Sequence, residues 1–155
     1  MSETRDTHAV GWCEYVDLPE WGVTGIRAKT DTGARTCSLH VENLKRLKGG
    51  RVAFDVLVKR ASGVRRVRVR TRLARSGHVK SSNGEARLRP FVVTTLRIGP
   101  VEREVEINLV DRGSMRHPML LGRTALPGLL VDVRRRYLLG KRPRRRKKQH
   151  EEGGS

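Results

Sequence analysis

Short stretches that alternate apolar and polar residues, cut by glycine turns, limit this chain to a β architecture. The clearest is Val64 to Leu73, where Val67, Val69 and Thr71 fall on one side and Arg66, Arg68, Arg70 and Arg72 on the other. Side chains along a strand point to opposite faces in turn, so this pattern predicts a strand with one buried face. Similar stretches are Ala9–Val16, Val23–Thr30, Cys37–Leu44, Arg51–Val58, Arg89–Gly99 and Val101–Val110, with Leu129–Val133 and Arg136–Leu139 as shorter pieces. Gly49-Gly50, Ser62-Gly63 and Gly99-Pro100 supply turns between them. Helical periodicity is scarce, and one short helix is expected near Gly122–Leu126. Many short strands at regular spacing predict an all-β chain forming a small closed barrel.

The 155 residues suffice for one domain with a modest core. Residues 1–8 read as a flexible N-terminus, 9–140 as the folded domain, and 141–155 as a basic, disordered tail. The run Arg144-Arg145-Arg146-Lys147-Lys148 has no apolar residue with which to bury itself. The formal net charge is +18, from 34 Lys and Arg against 16 Asp and Glu, which predicts attraction to polyanions. The tail suits either a ribosome- or RNA-contacting arm or a solubilising end. Only 4% of residues are aromatic, which argues against base-specific readout. The N-terminal residues have no apolar signal core and no segment is long enough to span a bilayer. Two cysteines, Cys13 and Cys37, form no disulfide framework and suit a cytoplasmic location.

The chemically pointed motif is Asp31-Thr32-Gly33-Ala34, at the end of the Val23–Thr30 strand. A strand would deliver one carboxylate to a tight turn that glycine and a threonine hydroxyl can lock. Two such turns facing each other would share a proton and act together as acid and base. The chain carries one, so a pair requires a symmetric dimer. A second motif is the apolar run Pro118–Leu121 that enters Gly122-Arg123. Between them, Arg75–Glu85 carries the hairpin signal Asn83-Gly84, with Gly77 as a further pivot. That segment is either a mobile flap or an ordinary surface hairpin.

Metal and nucleotide chemistry find little support. Cys37 and His40 have two-ligand spacing, but positions three apart on a strand face opposite ways, and no second Cys/His pair lies nearby. No phosphate-cradling Gly-x-x-x-x-Gly-Lys loop is present, so no metal and no cofactor are expected.

The phrases Ile26–Thr36, Ser81–Glu85, Met119–Arg123 and Tyr137–Gly140, in this order, resemble the bacterial retropepsin-like family often labelled "ATP-dependent zinc protease". Its members are associated with RimK-type ligases that add glutamates to a ribosomal protein. The resemblance covers roughly residues 10–140. It implies a retropepsin-like barrel and a homodimeric aspartic endopeptidase in which paired Asp31 carboxylates activate water. It implies that Thr32, Gly33 and Ala34 support the turn, and that Leu121, Gly122 and Arg123 pack beneath it. Arg35, Thr36 and the flap residues Ser81, Ser82, Asn83 and Gly84 would contact substrate, an acidic peptide or the glutamate tail of a ribosomal protein. Many viral relatives place an acidic residue where Arg35 stands. Arg35 cannot pair with Arg123, which then needs another carboxylate, and Arg35 is left to grip a substrate glutamate or to face solvent. A different class of function fits the same residues: a non-catalytic β-barrel module that binds ribosomal RNA or acidic protein tails.

Overall fold

A computed structural model describes residues 8–80, 84–111 and 117–140. Nearly every element is a strand. They are β1 (His8–Gly11), β2 (Cys13–Leu18), β3 (Val23–Thr30), β4 (Cys37–Leu47), β5 (Arg51–Arg60) and β6 (Gly63–Arg72). Then come β7 (Arg75–Lys80), β8 (Ala86–Ile98), β9 (Val101–Val110), β10 (Met119–Leu121) and β11 (Leu129–Asp132). The flexible-terminus and basic-tail expectations, save for His8, lie outside the described residues, as do Ser81, Ser82 and Asn83.

The expected short helix is instead a single 3-10 turn, Arg123–Ala125, and another such turn spans Pro19–Trp21. Each is three residues long, too short for any i→i+4 ladder to propagate. The expected strand over Ala9–Val16 is broken at Trp12. The expected strand over Arg136–Leu139 is absent. Tyr137 there has a positive φ of 57°, outside the extended region of a regular strand.

The larger sheet has nine strands in the order β10-β3-β2-β8-β9-β4-β5-β6, with β7 attached to β8. It is not the closed barrel that the strand spacing suggested. A barrel needs continuous ladders all round. Here β2 and β8 share one residue pair, Asp17 with Arg97. The three-residue β10 reaches β4 through two pairs. Beyond β4, the β5–β6 hairpin runs on with ten paired positions and ends the sheet at β6. A separate parallel pair, β1 with β11, covers another part of the core.

The core follows from the alternation. On β5, Val52, Phe54, Val56 and Val58 are buried, and on β6 Val69 packs behind them while Arg66, Arg68, Arg70 and Arg72 are exposed. Trp21 meets Phe54 edge-on at 5.3 Å. Burying a Phe, Leu, Ile or Val side chain contributes roughly 1.5–3 kcal/mol, so the core that this face shares with Leu18, Ile26, Leu39, Leu96 and Ile107 supplies most of the driving force.

Two buried carboxylates sit against that apolar interior. Glu14 on β2 is fully buried. Its Oε2 accepts the N–H of Gly11 at 2.6 Å and of Leu138 at 2.9 Å, and its Oε1 accepts the N–H of Leu139 at 3.1 Å. The segment after β11 is thereby held against β2. The Tyr137 N–H donates to the Cys13 carbonyl at 2.9 Å, and the Tyr137 ring stacks on Tyr15 at 4.8 Å. This clamp replaces the strand expected there.

Asp55 on β5 accepts Asn43 Nδ2 at 2.7 Å, Arg66 Nη1 at 2.9 Å and Arg68 Nη1 at 3.0 Å. The Asn43 hydrogen bond, helped by the two guanidiniums and opposed by burial, holds the Asp55 carboxyl below its ordinary value of 3.8. A lowered folded value means that Asp55 stabilises the fold above the unfolded value and loses that contribution as pH falls through the folded one. Acid titration of the urea midpoint below pH 4 is therefore expected to be shallower in Asp55→Asn than in the wild-type chain. Superimposable slopes would show that Asp55 does not drive the acid sensitivity.

Candidate functional site at the Asp31 turn

Strand β3 ends where Thr30 is pinned twice to Trp12: its N–H donates to the Trp12 carbonyl at 2.9 Å and its hydroxyl donates to the same oxygen at 3.2 Å. Asp31 follows at once. Its N–H donates to the Leu121 carbonyl at 2.8 Å, extending the parallel pairing of β3 with β10. Its own carbonyl accepts the Ala34 N–H at 3.1 Å, closing a four-residue turn. Its Oδ1 accepts the Gly33 N–H at 3.2 Å, the local side-chain bond that suits Asp to such turns. Oδ2 receives no hydrogen bond among the described residues.

The Leu121-Gly122-Arg123 segment lies directly against this turn. The Arg123 N–H donates to the Ala34 carbonyl at 2.8 Å and the Thr124 N–H to the Arg35 carbonyl at 3.0 Å. Among the described residues the Arg123 guanidinium has no carboxylate partner, contrary to the sequence expectation. Nη1 donates to the Thr32 carbonyl at 3.0 Å. Gly122 is required by the closeness of these chains, since a Cβ there would collide with the Thr36 carbonyl oxygen and lie 2.6 Å from its carbon.

Behind the turn stands a residue that the sequence did not single out. Asn108 on β9 is 1% exposed. Its Nδ2 donates to the Cys37 carbonyl at 2.7 Å and to Thr36 Oγ1 at 3.3 Å. Its Oδ1 accepts Ser38 Oγ at 3.0 Å and Arg89 Nη1 at 2.9 Å. One amide thus uses both its donors and both its lone pairs, tying β4, β8 and β9 together just after the turn. The alternation gave no signal for it, because Asn108 falls on the polar side of β9 with Glu102, Glu104 and Glu106 and is buried only by what packs over that end of the strand. Cys37 beside it is buried, and burial pushes its thiol up to about 11, so it stays protonated at neutral pH and is inert as ligand or nucleophile.

Asp31 is half-buried and Thr32, Gly33 and Arg35 are exposed, with Ala34 and Thr36 between. The Arg35 side chain has no carboxylate partner among the described residues. The structure therefore brings Asp31 to Thr36 and Leu121 to Arg123 into one cluster. Of the flap residues only Gly84 is described, exposed and at φ 90°. Gly77 is no pivot. It lies in β7, where a Cβ would meet Arg75 Nη1 at 2.6 Å and Phe91 at 3.0 Å, and its bareness lets the Arg75 guanidinium sit 3.8 Å over the Phe91 ring. Among the described residues, no group of three or more His, Cys, Asp or Glu is placed to hold a metal ion. No described helix is long and apolar enough to cross a membrane.

A strand ending in an Asp-Thr-Gly turn that is braced by an apolar strand and Gly-Arg is the arrangement of the retropepsin-like class. The family model "Retropepsin-like aspartic endopeptidase RimB" matches residues 9–142, and this chain belongs to that RimB-like family. Curated relatives carry a different name. A "Probable alpha-L-glutamate ligase" of Shewanella pealeana is 34% identical over 135 residues, covering 84% of this chain and 29% of that protein. One of Shewanella halifaxensis is 35% identical over 133 residues, covering 83% and 28%, and one of Desulfotalea psychrophila is 30% identical over 144, covering 90% and 31%. The chain thus spans less than a third of the length of the curated relatives it matches. A Legionella pneumophila protein of unknown function, known from its crystal structure, superposes with a TM-score of 0.66 at 27% identity, over 86% of this chain and 99% of that one.

These findings correct the expected activity. The four curated relatives are named as glutamate ligases and none as an aspartic endopeptidase. Among the described residues Asp31 has no second carboxylate as a hydrogen-bonding partner, so the chain by itself presents no acid–base dyad. An Asp-Thr-Gly turn fixes a backbone shape, and the shape alone does not fix the chemistry carried on it.

Proposed function

We propose that this chain serves α-L-glutamate ligation as a unit that holds the glutamyl chain on which a ligase works. The observation that carries this reading is the name shared by all four curated relatives, within which a segment of this length is one part of a longer protein. The chemistry of the turn supports it. A glutamyl chain offers one carboxylate per residue, and Arg35 stands exposed beside the turn with no carboxylate partner among the described residues. The unoccupied Oδ2 of Asp31 is suited to a backbone N–H or terminal ammonium of the same ligand. The net charge of +18 draws an acidic chain in from a distance. We place the protein in the cytoplasm, since its two cysteines are buried and unpaired.

Calorimetric titration with α-linked tetraglutamate is the direct test. Wild type is expected to bind, and Arg35→Ala to bind roughly tenfold more weakly, the loss of one charge-assisted contact. Equal affinity in the two proteins removes Arg35 from the reading, and no binding by wild type removes the reading itself.

A further inference from the structure

The outer face of the β4–β5–β6 end of the sheet divides into two halves of different charge balance. In one half Asp55 engages Arg66 and Arg68, and Glu42 engages Arg66 at 3.1 Å, so two carboxylates offset two guanidiniums. In the other half the register sets Lys45 opposite Ala53 and Ala53 opposite Arg70, then Leu47 opposite Arg51 and Arg51 opposite Arg72. Residues paired across strands project from one face. Lys45, Arg51, Arg70 and Arg72 therefore share that face. All four are exposed, and among the described residues none has a carboxylate partner.

The same strand is also an edge. The sheet order ends at β6, and among the described residues no strand pairs with its far side. Every second residue of an edge strand turns its N–H and C=O outward, ready to accept another strand. The cations on β6 repel a second β6, which blocks self-pairing and leaves an acidic strand as the complementary occupant.

We propose that the β6 edge docks an extended acidic peptide by strand addition, with Arg70 and Arg72 taking carboxylates from alternate residues. Side chains two apart on any strand are about 6.6 Å apart, so alternate glutamates of an added strand fall into step with Arg70 and Arg72. Arg51, one strand further in, and Lys45, two strands in, add to the same field. A nucleic acid would satisfy the charge but has no way to complete the strand ladder. The site is separate in sequence from the Asp31 turn, and only the identification of its occupant as a glutamyl chain rests on the function proposed above.

The test is fluorescence anisotropy with three labelled probes at near-physiological salt: α-linked octaglutamate, an alternating Glu-Val octapeptide, and single-stranded RNA. Arg70→Ala/Arg72→Ala is compared with Lys59→Ala/Arg65→Ala, which removes the same charge from the other end of the hairpin. The first variant is expected to weaken an acidic peptide roughly tenfold or more and the second less than threefold. N-methylation at alternate peptide nitrogens is expected to abolish binding in one of its two phases, since one phase faces β6. If octaglutamate binds wild type and the Arg70/Arg72 variant alike, the docking strand is wrong and the function proposed above stands. If only the Glu-Val peptide binds and is lost in the Arg70/Arg72 variant, the docking strand stands and the glutamyl reading fails. Tighter binding of RNA through the same arginines, N-methylation without effect, or no binding of any probe overturns the inference.

Discussion

Glu14→Ala is expected to cost about 3–5 kcal/mol, because it strips the acceptor from three backbone donors at once. Three backbone donors, at Gly11, Leu138 and Leu139, point at this one fully buried carboxylate. Alanine leaves all three without an acceptor, at roughly 1–3 kcal/mol each before water relieves part of the loss. For a chain of this size that is a fall of about 10 °C in the unfolding midpoint. Glu14→Gln is expected to fall between, since one amide oxygen can serve the two donors at the Oε2 position while the NH2 then faces a third N–H. Hydrogen exchange locates the effect: the Leu138 and Leu139 amides should lose protection before the β5 and β9 amides do. A midpoint within 2 °C of wild type for Glu14→Ala would show that the clamp contributes little.

Gly122→Ala is expected to be the most damaging single methyl addition at the candidate site. The new Cβ meets backbone rather than a movable side chain: the Thr36 carbonyl group, and the Arg35 carbonyl carbon at 2.8 Å. Neither can give way without breaking the bonds from Arg123 N–H to Ala34 and from Thr124 N–H to Arg35. Overpacking of this kind costs typically 1–3 kcal/mol, and here the rigid neighbour puts it at the upper end, about 3 kcal/mol. Tetraglutamate binding should fall with it, because the turn that presents Arg35 is displaced. Thermal unfolding and titration of the same sample check both parts. Retention of wild-type stability and affinity would mean that β10 and the turn can separate freely. Gly22→Ala is the informative contrast. It has a positive φ of 69° but nothing within 4 Å of its Cβ, so its cost is conformational and leaves tetraglutamate affinity unchanged.

Local pattern determined the individual strands. Val23–Thr30 and Val101–Val110 have the bounds that alternation and flanking turns imply, because a strand with one buried face must alternate and must stop where glycine or proline allows a turn. The motif order also placed the chain in its family, since the residues of the Asp31 turn and of the Gly-Arg segment are short-range features. Three things needed the tertiary structure. Whether the sheet closes depended on seams such as the single β2–β8 pair, and pairing between distant strands leaves no periodicity in either. Arg136 to Leu139 read as a short strand, yet a buried carboxylate 124 residues away holds the Leu138 amide and fixes the chain there in another shape. The arginines of β6 look equivalent along the sequence, and only the register against β5 shows that Arg66 and Arg68 are balanced by Asp55 while Arg70 and Arg72 face an alanine and another arginine. Charge balance is a property of neighbours across strands, and neighbours across strands are what the fold decides.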